Sequence, residues 1–207
     1  MSVTVLVRQR AHPGQAAAFL AAALRVLATV PASSSLRGAR LFQGLEDGED
    51  FVWLSDWDSA EAHLADPEQA EFTDGLHPWA AGPAERAYLR SRAWFADMSR
   101  RTAVAQVVLL DFPASEGAGW DVLRRREAPT LIREHRGLTA RTVYEDEANP
   151  QRMVVLNGWV SVEAWDQFRA DIMPRLRAIH NAHGGEITYF VGRTQGEYER
   201  PRRRRGP

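Results

Sequence analysis

His63 and His77 fall on or just after the segment that follows a tryptophan-ended strand, and His180 and His183 occupy the corresponding region further along. A histidine beside a cavity can act as a general base because its ordinary pKa lies near neutrality. His77 is the stronger catalytic candidate, since it follows the helix at the place where a pocket would close. Period-two alternation puts Phe51, Trp53, Ser55 and Trp57 on one face of a strand, and Met153, Val155, Asn157 and Trp159 on the matching face of another. Large aromatic rings could stack there on a planar polycyclic ligand, while Asn157 or Ser55 could hydrogen-bond a phenol or ketone oxygen. Such rings also fill cores well, so packing alone is the competing explanation. The last strand of each half adds Arg90, Arg92 and Trp94 on one face, and Tyr189 in the second half. A guanidinium there could hold an anionic oxygen, or could simply be surface charge. His180 and His183 have a spacing metal sites use, yet no carboxylate or third histidine is clearly placed with them, which favours a structural role. The candidate set is therefore His77 and Asn157 for catalysis, with Trp53, Trp57, Trp159, His63, Arg92 and Tyr189 for substrate binding.

Composition narrows the chemistry. The chain has 207 residues, 44% hydrophobic and 26% charged, which is enough apolar material for a packed core. Its 26 cations are all arginine, so lysine Schiff-base chemistry is excluded. Cysteine is absent, which removes disulfides, thiolate nucleophiles, zinc fingers and cysteine-ligated clusters. A formal charge of −1 provides no global field toward nucleic acid or an anionic membrane, and neither is expected as a partner. Arg8 interrupts the apolar N-terminus too early for a signal peptide, and no apolar run approaches the roughly 20 residues a bilayer span needs. A cytoplasmic location is expected.

The elements that must position the candidates repeat at long period. Trp57-Asp58-Ser59-Ala60-Glu61-Ala62 returns as Trp159-Val160-Ser161-Val162-Glu163-Ala164, displaced by 102 residues. Each copy follows a strand-like run, and each run follows a turn-forming segment, Glu46 to Asp50 or Asp146 to Pro150. Upstream, Val3 to Val7 and Val104 to Leu110 are β-branched runs of strand length. After Pro13-Gly14, the spacing of Phe19, Ala23, Val26 and Val30 predicts one buried helical face, ending near Pro31. Trp120, Leu123, Leu131 and Ile132 predict its counterpart, bent at Pro129, and Leu36 to Leu45 and Leu138 to Glu145 return as strands. Asp58 or Ser59, and Ser161, are the expected caps of the helices after each tryptophan, which Pro67 and Pro174 should make irregular. Final strands are expected at Glu85 to Phe95 and Glu186 to Val191. Each half thus reads β-α-β-β-α-β, an α+β plan in which helices cover one face of a four-stranded antiparallel sheet. Val52, Leu54, Val154 and Leu156 make the opposite faces apolar too, so the two sheets should pair. The expected organisation is a first module over 1–98, a second over 99–193, and a disordered basic tail over 194–207 that ends in Arg202-Arg203-Arg204-Arg205.

The tryptophan-ended strand, the Ser-x-Glu-Ala that opens the next helix and the order of elements around them resemble the antibiotic-biosynthesis-monooxygenase-like, dimeric α+β barrel superfamily in tandem form. The resemblance runs from about residue 2 to about residue 193. It implies two ferredoxin-like modules joined as an intramolecular α+β barrel, either a pseudo-dimeric monomer or part of a larger homo-oligomer, with a cavity between the tryptophan face and the helices. It further implies oxidation of a small aromatic, polyketide-type metabolite by dioxygen without metal or flavin, the substrate carbanion supplying the electrons. Such chemistry asks the protein to exclude water, remove a proton and hold an oxyanion. A haem-degrading branch is an alternative, for which Trp57 and His77 match, but its strand asparagine would fall near Val7. No cofactor is expected under the main reading and haem under this one; a polyketide cyclase or a non-catalytic ligand-binding barrel is a further alternative. By offset, His63 corresponds to Trp165, Ser55 to Asn157 and Trp53 to Val155, so two pockets could not be chemically equivalent.

Overall fold

Runs of β-branched and aromatic residues with both faces apolar become strands buried on both sides, and this is how the central strand of each half forms. The computed structural model describes residues 2–30, 35–66, 76–96, 102–111, 135–149, 151–182, 184 and 186–199. Contacts divide the chain into two compact units, Met1–Tyr88 with Thr194–Pro207, and Leu89–Arg193.

The first unit contains β1 (Val3–Arg10), α1 (Ala16–Thr29), β2 (Leu36–Gly44), β3 (Asp50–Trp57) and α2 (Ala60–Leu64). A short 3-10 turn (His77–Trp79) leads to β4 (Glu85–Ala96). β3 lies between β1 and β2, antiparallel to both, with Trp57 opposite Val3 on one side and Leu36 on the other. Its tryptophan face joins Phe19, Ala22, Ala23 and Leu27 of α1 in one apolar cluster, and Val52 and Leu54 on the other face are equally buried. The buried stripe of α1 therefore runs through Ala22 and Leu27, whereas Val26 is half-buried and Val30 caps the helix end. Burial of Phe19 and Leu27 against the sheet stabilises this helix-on-sheet contact by about 1.5–3 kcal/mol for each side chain.

The second unit repeats the plan with β5 (Val104–Asp111), β6 (Leu138–Asp146), β7 (Arg152–Trp159), α3 (Val162–Asp171), α4 (Met173–Ala182) and β8 (Glu186–Glu199). β7 lies between β5 and β6, with Trp159 opposite Val104 and Leu138. The duplication extends to irregularities: β2 shifts register between Leu36 and Gly38, and β6 between Leu138 and Ala140. Pro174 falls in the first turn of α4, where its missing N–H costs nothing, so the irregularity expected there is a break between two helices. The expected helix from Trp120 to Ile132 and the Pro67 segment lie outside the described residues.

Hydrogen-bonded neighbours follow the order β1-β3-β2-β8-β5-β7-β6-β4 and close as an eight-stranded barrel, the α+β architecture expected of two such modules in one chain. The unit border falls inside β4 rather than at residue 98, and β8 continues through Thr194–Glu199 instead of giving way to a tail at 194. That extension reads as tail in sequence because it lacks apolar alternation, yet Tyr198 packs on the first unit's core and Gly196 lies against Leu24 and Leu27. No described helix is long and apolar enough to cross a membrane.

Candidate functional site

In the first unit the site is assembled by the end of β3, the start of α2 and the first half of β4. Ser59 accepts a hydrogen bond from the Ala62 amide (3.1 Å), satisfying a free donor of the first helical turn. This fixes where α2 begins and so sets His63, one turn on, over Trp57. The two rings meet edge to face, with centroids 4.8 Å apart at 75°. Tyr88 approaches from the other side at 5.5 Å and 76°, and its hydroxyl lies 3.2 Å from His63 Nδ1. His63 is only 2% exposed. Burial, chiefly, and the nearby Arg86 charge lower its pKa, with Asp66 opposing them, so the imidazole is neutral at pH 7. The Trp57 indole donates to Ser55 Oγ (2.9 Å), and Ser55 donates to the Val5 carbonyl (3.4 Å).

The second unit builds a different site on the same frame. Ser161 caps α3 as Ser59 caps α2, and Trp165 stands where His63 stands in the first unit. Trp159 lies 4.5 Å from Phe168 and 6.1 Å from Trp165, and Trp165 lies 6.2 Å from Tyr189. His135, from the segment before β6, meets Trp159 at 5.4 Å and Phe168 at 5.5 Å, both edge to face. Burial lowers the pKa of His135, with Asp171 raising it less. Asn157 replaces Ser55, and its amide is engaged at both ends: Nδ2 donates to Gln106 Oε1 (3.0 Å) and Oδ1 accepts from Arg141 (3.3 Å). Gln106 in turn is 1% exposed and directs its own amide at Met173 Sδ (3.7 Å).

Of the sequence candidates, Trp53, Trp57 and His63 share the buried tryptophan side of the first unit, and Asn157, Trp159 and Tyr189 lie in the second. His77 opens the 3-10 turn that contains Pro78 and Trp79, and is exposed. Arg92 is exposed as well, paired with Glu145 at 2.5 Å, and a register shift in β4 between Ser91 and Ala93 interrupts the alternation assumed for it. Arg90 likewise pairs with Glu147 on the surface. The side chains of Trp94 and His180, and all of His183, lie outside the described residues. Sequence reasoning missed Tyr88, Gln106 and His135. Tyr88 could have been found as the counterpart of Tyr189 on the other final strand, whereas His135 precedes a glycine turn and has no periodic signal.

Comparisons with known proteins agree with this architecture. Residues 2–75 match the family model described as antibiotic biosynthesis monooxygenase. The chain is similar in structure to a candidate monooxygenase from Fusobacterium nucleatum, with TM-score 0.74 at 8% identity over 96% of this chain and 94% of that one. It is similar to an anthrone oxidase-like protein, with TM-score 0.73 at 12% identity over 97% and 94%, and to a candidate monooxygenase from Lactobacillus acidophilus, with TM-score 0.68 at 11% identity over 96% of each chain. No curated protein matches the sequence. The match to the antibiotic biosynthesis monooxygenase model is thus confined to residues 2–75, and the chain as a whole shares the α+β barrel fold of these solved structures.

Proposed function

We propose that the protein oxidises a small phenolic, anthrone-type aromatic with dioxygen, without metal or flavin, and that His63 of the first unit is the proton acceptor. What supports this function is the burial of a neutral imidazole between Trp57 and Tyr88, in the half matched by the monooxygenase model. An activated methylene between aryl rings transfers a proton to His63. The carbanion then reduces dioxygen and combines with it as a peroxide, which takes up the proton and loses water to leave a ketone. One substrate and one dioxygen thus give one quinone and one water, with the substrate as the only reductant.

With His63 Nδ1–H donating to the Tyr88 oxygen, Nε2 keeps its lone pair for the substrate proton; Tyr88 then stabilises the imidazolium as an acceptor. Trp57 and Trp53 supply apolar walls that exclude water from the carbanion. Arg92 and His77, both exposed, take no part in this scheme. The test is a hydroxyanthrone incubated with purified protein in air and under nitrogen. Oxygen-dependent quinone formation above buffer, lost in His63→Gln, is the expected result; equal rates with and without protein would end the reading.

A further inference from the structure

Both units place a row of three rings at equivalent positions, but the middle ring differs. In the first, His63 stands between Trp57 at 4.8 Å and Tyr88 at 5.5 Å. In the second, Trp165 stands between Trp159 at 6.1 Å and Tyr189 at 6.2 Å, with Phe168 packed on both indoles at 4.5 Å and 6.0 Å. All these separations lie in the range of direct ring contact. An imidazole in the middle place handles protons. An indole there handles electrons, since tryptophan and tyrosine are the ring side chains that most readily give up one. The row in the second unit also runs outward: Trp159 is 0% exposed and Trp165 2%, whereas Tyr189 is partly open to solvent.

Where a proton can leave decides which way an oxidising equivalent travels. An oxidised indole that hands its N–H proton to an acceptor becomes a neutral radical, a weaker oxidant, and the equivalent stays on it. The Trp57 indole is hydrogen-bonded to an oxygen, Ser55 Oγ at 2.9 Å. Trp159 has no such outlet. Asn157, which replaces Ser55, is engaged by Gln106 and Arg141, and Trp159 Nε1 is buried without a hydrogen-bond partner among the described residues. His135, edge-on at 5.4 Å, does not reach it. Oxidised Trp159 therefore keeps its proton and its full oxidising strength, while the Tyr189 phenol can release its proton to water.

We propose that the second unit is a one-electron relay, in which Trp159, Trp165 and Tyr189 carry an oxidising equivalent from the core to the surface. A one-electron oxidant, such as a radical formed by partial reduction of dioxygen, takes an electron from Trp159. Trp165 gives an electron to Trp159, and Tyr189 gives one to Trp165 while its phenolic proton passes to water. The equivalent then rests on Tyr189 as a neutral tyrosyl radical. A soluble hydrogen-atom donor of the thiol or enediol class restores the phenol and ends as its own radical. The net change is one electron from that donor to the oxidant and one proton to water, with all three rings restored. The relay thus discharges the buried core. It does not depend on the oxidation proposed for the first unit, because His63 takes no part in it.

The experiment uses the full chain with a photo-oxidant fixed beside Trp159. The sequence has no cysteine and Val160 is 41% exposed, so Val160→Cys takes a ruthenium-polypyridyl label at that position alone. A laser flash with an electron-accepting quencher turns the label into a strong one-electron oxidant, and transient absorption with electron paramagnetic resonance follows the protein radicals. The expected result is a tryptophanyl signal that decays into a tyrosyl signal. Tyr189→Phe should abolish the tyrosyl signal and leave the tryptophanyl one, and Trp165→Phe should suppress the transfer between them. Tyr88→Phe, in the other unit, should change neither. A tyrosyl signal that survives Tyr189→Phe, one that disappears in Tyr88→Phe, or none at all in the labelled chain would overturn the proposal. The last of these is read on the labelled chain alone, so a ring variant that fails to fold does not leave the question open.

Discussion

The Tyr88 hydroxyl lies 3.2 Å from Nδ1 of His63, and the His63 imidazole stands at 75° to the Trp57 indole. A residue of β4, one of α2 and the last residue of β3 thus form one contact chain. Tyr88 meets one of the two imidazole nitrogens of His63, and under the proposed function the other is the proton acceptor.

Replacing His63 by Gln should lower kcat for anthrone oxidation by about 100-fold or more, the usual contribution of a positioned base. Steady-state oxygen consumption measures it, and an unchanged kcat would remove His63 from the mechanism.

Tyr88→Phe should reduce kcat less, by roughly tenfold, and move the acidic limb of the pH–rate profile to lower pH. The imidazolium loses an oxygen acceptor in that variant, so its formation becomes harder. A purely structural role for Tyr88 would lower activity without moving the limb.

Stability should fall as the medium is acidified. Burial depresses the folded pKa of His63 and of His135 below the ordinary 6.5, so above that value neither state binds the proton. Below it the unfolded chain is protonated first, and stability is lost progressively down toward the folded pKa. Urea midpoints at pH 7.5 and 5.5 should differ by more in wild type than in His63→Phe; identical pH dependence would contradict the assignment.

Ser161→Ala removes the acceptor for the Ala164 amide and should cost about 1 kcal/mol, read as a drop in Tm of a few degrees. Gly137→Ala should cost more, about 1–3 kcal/mol, because the added carbon would meet the Ala164 side chain at 2.4 Å and the backbone must yield.

Removing everything after Arg193 should destabilise the first unit. Tyr198 packs on that unit's core and Gly196 lies against Leu24 and Leu27 of α1. A truncated chain melting at the wild-type temperature would show that this half of β8 contributes nothing.

The duplicated Trp-x-Ser-x-Glu-Ala was legible because it joins two strong local signals, a strand that is apolar on both faces and a serine cap. From it followed the element order and the caps at Ser59 and Ser161. Three features were not legible, each for its own physical reason. The β4 register shift near Arg92 has no composition signature, so alternation misplaced that residue. The polar Thr194–Glu199 stretch becomes a strand through backbone pairing and tertiary contact, which side-chain periodicity does not report. His135 joins its cluster from an irregular segment, where sequence distance says nothing about which ring it will meet.

Because the first compact unit takes in Thr194–Glu199, it is left incomplete while the chain is still being synthesised. A nascent polypeptide released through residue 88, or even through residue 193, would still lack the strand that finishes the half begun first. Translation order and completion order are therefore opposed: the module whose residues emerge earliest must wait for residues 194–199 before its sheet is whole.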